Sequence, residues 1–233
     1  MKNLIVASTS TVHGSGYLEY ILPTLKTHFA GVSTLIFVPF ARPGGISYDD
    51  YTSKAAEAFS KIGITVKGIH SFEDPKVAVA EAEGIFTGGG NTFELVNQLY
   101  QHDLIEVLQE ALLGGTPYLG TSAGSNICGV TMMNTNDMPI VYPPSFNTLA
   151  MIPFNINAHY LDPDPGSTHM GETRETRIKE YHVFNSTAVL GLREGSWLRV
   201  QGDEISLEGE LSARLFEQGK APKELASGTL INL

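Results

Sequence analysis

Residues 117–125 read PYLGTSAGS, a short apolar run that passes into glycine, threonine, serine, alanine and glycine. Gly120 to Gly124 fit the pattern G-x-S-x-G, in which a serine rides on a sharp turn between a strand and a helix and its hydroxyl projects from the sheet edge. Glycines on either side let neighbouring backbone pass close to that turn. A serine that merely caps a helix over 122–128 is the plainer alternative. The strand pattern before Ser122 and the helical pattern after it favour a nucleophile. Such an elbow belongs at the carboxyl end of a strand in an α/β sheet, where active sites of these folds gather.

The chain upstream of the elbow agrees. LIVAS (4–8), TLIFVPF (34–40), ITVKGI (64–69), GIFTG (84–88) and PYLGT (117–121) are short runs rich in β-branched and aromatic residues, as in buried strands. Helical patterns lie between them over 15–29, 48–62, 75–82 and 91–113. The last carries Phe93, Leu95, Val96, Leu99, Leu104, Val107, Leu108 and Leu112 at helical spacing. Alternating strands and helices predict a mostly parallel sheet with helices on both faces. Residues 129–157 read as loops with short strands, 172–184 as a charged helix, and the remainder as short antiparallel strands with a hairpin at Gly202-Asp203. With no repeat and no linker, residues 1–233 are expected to form one α/β domain.

Composition narrows the partners. The formal net charge of −10 disfavours nucleic acid and anionic membranes, both of which call for a basic surface. Cys128 is the only cysteine, so no internal disulfide forms. The opening MKNLIVAS has too short an apolar run for a signal peptide, and no stretch approaches the ~18 apolar residues of a membrane span. A soluble, cytoplasmic protein is expected, as a monomer or small homo-oligomer.

A second glycine turn, TGGGNTFEL (87–95), also follows a predicted strand. It lacks the Gly-Lys-Ser/Thr of a triphosphate loop, and Phe93 stands where a dinucleotide fingerprint requires glycine. Its amides can instead line a cavity and hold an oxyanion, although a tight turn that simply needs glycine is an alternative. A serine hydroxyl needs a base to take its proton. Of seven histidines, His159 in INAHYLD stands out, because it closes an alternating strand pattern and precedes an acidic, proline-containing loop. His13 and others remain rivals on spacing alone. No HExxH or paired-cysteine pattern is present, and His159 and His169 are separated by a proline-containing loop, so no metal or other cofactor is expected.

Several stretches together resemble the peptidase E family of α-aspartyl dipeptidases. They are GGGNTFEL (88–95), SAG (122–124), TNDMPIV (135–141), NINAHY (155–160), GETRETRI (171–178) and GLREGSW (191–197), and their order and separations fit as well. The resemblance implies a fold related to the class I glutamine amidotransferases, a serine nucleophile, no metal, and hydrolysis of dipeptides with an amino-terminal aspartate. It implies Ser122 as nucleophile and His159 as general base, with either Glu194 or Asp137 as the acid behind it. Glu194 directly follows the apolar run AVLGL, at an expected strand end, which favours it; Asp137 lies in a polar turn. Amides of Gly88, Gly89, Gly90 and Ala123 are the expected oxyanion donors. Arg174 is the candidate for the substrate's aspartyl carboxylate, since its planar fork can bind a carboxylate through two hydrogen bonds. Asn91, Glu172 and Asp137 are candidates for the substrate ammonium. A cyanophycinase-like or other aspartyl-bond hydrolase, or a non-catalytic binding module on this fold, are the alternatives. Cysteine in place of Ser122 would be needed for an amidotransferase.

Overall fold

A computed structural model describes residues 1–233 apart from 165, 167 and 169. Five parallel strands form its centre: β1 (Asn3–Ala7), β2 (Thr34–Val38), β3 (Thr65–Gly68), β4 (Ile85–Thr87) and β5 (Tyr118–Thr121). Helices α1 (Leu22–His28), α2 (Tyr48–Ser60), α3 (Pro75–Ala80), α4 (Thr92–Gln101) and α5 (Leu104–Gly114) connect them, and α6 (Ala123–Asn126) follows β5. The rest of the chain supplies β6 (Asn155–Ala158), α7 (Arg174–Phe184), β7 (Val189–Leu192), β8 (Ser196–Gln201), β9 (Glu204–Gly209), β10 (Ala213–Phe216) and β11 (Lys223–Leu225). The hairpin β8–β9, turned at Gly202-Asp203, adds antiparallel to β1, giving the order β3-β2-β4-β5-β1-β8-β9. A second sheet has the order β11-β10-β7-β6, with β6 parallel to β7.

Side-chain alternation explains why this sheet is covered on both sides. Leu4 and Val6 of β1 join a cluster with Val79 of α3, Leu95 and Leu99 of α4, Leu104 and Leu108 of α5, and Leu190 and Leu215 of the second sheet. Ile5 and Ala7 face the opposite way, into a cluster with Leu25 of α1 and Tyr51, Ala55 and Phe59 of α2. Phe37, Phe59 and Phe86 are fully buried in that second cluster, and each contributes about 1.5–3 kcal/mol by leaving water.

The expected helix over 91–113 is two helices. Asp103 takes a left-handed conformation (φ 51°) after His102 has closed α4, and its carboxylate meets Lys76 at 2.9 Å. Both α4 and α5 stay on one face and share one apolar cluster, so hydrophobic spacing alone does not reveal the break. The expected helix over 15–29 shrinks similarly to α1, preceded by a 3₁₀ turn over Glu19–Ile21.

Candidate active site

Ser122 occupies the turn between β5 and α6 with φ 53° and ψ −110°, a conformation that costs a non-glycine residue on the order of 1–3 kcal/mol. The glycines around it are required by contact. A Cβ on Gly120 would strike the Gly124 carbonyl, and one on Gly124 would strike the Thr87 carbonyl at the end of β4. The Ser122 amide donates to the Ala7 carbonyl (3.2 Å), and the buried Ser125 hydroxyl donates to both Ala7 and Gly120 carbonyls. The elbow is thus tied to the carboxyl ends of β1, β4 and β5.

Two hydrogen bonds extend from the serine. Its Oγ lies 2.8 Å from His159 Nε2, and His159 Nδ1 lies 2.6 Å from Glu194 Oε1. A carboxylate only accepts, so Nδ1 carries the proton and Nε2 is left to accept from the serine hydroxyl. His159 itself follows β6 in a left-handed conformation (φ 54°), and Glu194 follows β7, the parallel neighbour of β6. Ser8, fully buried beyond the end of β1, bridges them: its hydroxyl donates to the Leu192 carbonyl (2.7 Å) and accepts from the His159 amide (2.9 Å). Sequence reasoning missed Ser8. It opens the stretch STSTVHGSG (8–16) and looks there like any polar residue at a strand end.

The remaining histidines are placed elsewhere. His28 is buried against the Tyr118 carbonyl, His70 pairs with Asp49, His102 stacks on Phe40, His182 meets the Asn185 carbonyl, and His13 is exposed. His169 lies outside the described residues. Among the described residues no group of three His, Cys, Asp or Glu side chains gathers as a metal site.

Asp137 does not touch His159. Its Oδ2 accepts from the Thr92 amide (2.7 Å) at the start of α4 and from the Thr135 hydroxyl (2.8 Å), while Oδ1 receives no bond from any described residue. Asn91, considered for substrate contact, has both ends of its carboxamide committed: Oδ1 caps the Glu94 amide and Nδ2 donates to the Met138 carbonyl. Gly88 leaves the set of oxyanion donors for a similar reason, because its amide already donates to the Val38 carbonyl at 3.1 Å. Among the described residues the amides of Gly89, Gly90 and Ala123 donate to no protein acceptor. Gly89 lies against the elbow, where an added Cβ would sit 3.5 Å from Ser122 Oγ.

Arg174 opens α7, whose amino end is capped by the Thr173 hydroxyl. Burial and the neighbouring Arg177 charge hold its guanidinium below the ordinary arginine value, against the opposing pull of Asp137. It pairs with no carboxylate among the described residues. Glu172 instead meets Arg177 at 3.9 Å, and Glu175 meets Lys179 and Arg214. Arg174, Glu172, Arg177 and the segment Leu161–Asp164 line a cleft of about 420 Å³. That segment starts two residues after His159 in the chain, but neither Ser122 nor His159 lines the cleft.

Residues 4–208 match the model of peptidase family S51. The chain belongs to that family. This S51 peptidase is 52% identical over 227 residues to peptidase E of Streptomyces coelicolor, covering 97% of this chain and 92% of that one. A Drosophila melanogaster protein described as a probable alpha-aspartyl dipeptidase is 45% identical over 228 residues, covering 97% and 94%. The crystal structure of a peptidase from an acI-B1 actinobacterium superposes with a TM-score of 0.73 at 15% identity, covering 100% of this chain and 97% of the other, which speaks for the fold. This S51 member is an enzyme, a serine exopeptidase. No helix among its described residues is long and apolar enough to cross a membrane.

Proposed function

We propose that this peptidase hydrolyses dipeptides with an amino-terminal aspartate through an acyl-enzyme on Ser122. The observation that carries the reading is the unbroken hydrogen-bonded line from Ser122 through His159 to Glu194, with distances of 2.8 and 2.6 Å. In this scheme Ser122 Oγ attacks the scissile carbonyl as its proton passes to His159 Nε2, and Glu194 steadies the resulting imidazolium. Gly89, Gly90 and Ala123 amides receive the developing oxyanion, and loss of one such donor typically costs on the order of 10²–10³ in rate. His159 then protonates the departing amine, and water repeats the sequence to release aspartate.

Arg174 takes the substrate's side-chain carboxylate, a role consistent with its lack of any carboxylate partner among the described residues. Asp137 takes the ammonium through its uncommitted Oδ1; Glu172, engaged with Arg177, ranks below it. One domain spanning 1–233, a cytoplasmic location and a monomer or small homo-oligomer belong to the same proposal. The apolar cluster shared between the two sheets supports the single domain.

The test is turnover of Asp-Leu beside Leu-Leu, Glu-Leu and N-acetyl-Asp-Leu, with a metal chelator present throughout. Rapid cleavage of Asp-Leu alone is the expected result. Efficient cleavage of N-acetyl-Asp-Leu would mean an aspartyl endopeptidase, and activity abolished by chelator and restored by zinc would overturn the serine mechanism.

A further inference from the structure

Tyr51 belongs to none of the catalytic or substrate-binding groups assigned above, yet its hydroxyl reaches the Gly89 carbonyl from the apolar cluster under α2. It sits in the first turns of α2, only 2% exposed, with its ring edge-on to Phe37 at 4.8 Å between centroids. Its hydroxyl donates to the Gly89 carbonyl at 3.1 Å. In a planar trans peptide the C=O and the following N–H point in opposite directions. A Gly89 carbonyl drawn back towards α2 therefore turns the Gly90 N–H away from α2. The same stretch of loop lies against the nucleophile, since a Cβ on Gly89 would fall 2.9 Å from Ser122 Cβ.

The peptide needs such a hold. It joins two glycines, and Gly90 has φ 148°, so no side chain restricts its rotation. The loop is pinned on both sides, by the Gly88 amide on the Val38 carbonyl and the Asn91 amide on the Ala41 carbonyl (2.7 Å). Among the described residues, the 89–90 peptide between these pins is the one held by a side chain rather than by backbone. Rotated by half a turn, it would present a carbonyl oxygen where the oxyanion forms, replacing an attraction with a repulsion.

We infer that Tyr51 is a positioning residue for the oxyanion site, orienting the Gly89–Gly90 peptide so that the Gly90 amide meets the negative oxygen of the tetrahedral intermediate. This deepens the proposed dipeptidase reaction and rests on it. Tyr51→Phe removes the hydroxyl and keeps the ring against Phe37. The variant is compared with the wild type in Asp-Leu turnover, in affinity for an aspartyl boronate that forms a tetrahedral adduct on Ser122, and in affinity for the reduced-amide Asp-Leu isostere, which has no carbonyl oxygen. Thermal unfolding is followed alongside.

The expected result is a fall in kcat of about 10- to 100-fold, somewhat short of losing a whole donor, with KM nearly constant. The boronate weakens by a matching factor while the isostere binds as before. Unchanged kcat and boronate affinity would overturn the inference. So would an equal weakening of boronate and isostere, or a lost melting transition, since either marks general disruption. Wild-type protein that cleaves no Asp-X peptide would sink the dipeptidase reading itself, a failure distinguishable because it precedes any variant.

Discussion

Glu194 and Asp137 carry the same charge but hold different partners, and single-residue changes separate their roles. Glu194→Gln removes the charge behind His159 and permits the wrong tautomer, so turnover of Asp-Leu should fall by several powers of ten, ~10⁴ in the analogous protease change, with KM little altered. Asp137→Asn should chiefly raise KM, because its contacts are to Thr92 and Thr135 beside the oxyanion loop. The reverse pattern in steady-state kinetics would hand the triad role to Asp137. Arg174→Ala should cost a large factor in kcat/KM on Asp-Leu, while Arg177→Ala, half-exposed beside Glu172, should matter far less. Equal, mild effects would place the carboxylate pocket elsewhere. Ser8→Ala leaves the His159 amide without its acceptor, so we expect turnover to drop ~10-fold or more and stability to fall by about 1–3 kcal/mol in urea. Lost stability with normal turnover would make Ser8 purely structural.

At the scale of elements, the elbow works because β5 and α6 meet with almost no room between them. Gly124→Ala drives a Cβ into the Thr87 carbonyl, and neither backbone can yield without moving β4. The expected loss is on the order of 1–3 kcal/mol, with activity lost as Ser122 shifts. Gly114→Ala, at the end of α5 and with nothing within 4 Å of the added carbon, should be neutral or stabilising by about 0.4–1 kcal/mol. Denaturant midpoints of the two variants check the contrast, and similar midpoints would refute it. Elements also show where sequence patterns were and were not readable. Four of the five parallel strands, β1, β2, β4 and β5, were legible as short apolar runs buried on both faces, whereas β3 at the sheet edge alternates exposed Thr65 and Lys67 with buried Val66 and Gly68. Strand β6 reads NINA, and its asparagines are buried only because Asn155 and Asn157 bond to Asn134, Asn136 and Thr131 across the fold. Nothing local announces those partners.

Across the whole molecule, stability should depend on pH through His28. Burial holds its imidazole down at about 4, against an ordinary value near 6.5. Between those two values the unfolded chain binds a proton that the folded chain refuses, so stability falls as pH drops from about 6.5 to 4 and levels off below. The full effect is on the order of 3 kcal/mol. Glu224 adds a second, lower window. Hydrogen bonds from Arg193 hold its carboxyl down at about 2, so the stability it lends is present above its ordinary value of 4.5 and is lost as pH falls towards 2. His28→Gln should flatten the decline between pH 6.5 and 4.5 in denaturant titrations; an unchanged slope would show that other groups dominate.

By itself the sequence determined the α/β class and marked the elbow serine, while His159 was set apart from its rival histidines only through the resemblance to peptidase E. The class and the elbow are written in local spacing: period-two and helical apolar patterns, and small residues wherever backbones cross. Chain neighbours favoured Glu194 over Asp137 without deciding between them; the tertiary structure sets Glu194 against His159 and turns Asp137 to Thr92 and Thr135. It also decided that β8 and β9 extend the main sheet while β7, β10 and β11 join β6 in a second one. Apart from the hairpin turn at Gly202-Asp203, these short strands carry no local mark of their partners; that choice is made by which apolar faces meet across the fold. The same holds for Ser8, Tyr51 and the Gly88 amide, whose roles are set by hydrogen bonds to residues distant in sequence.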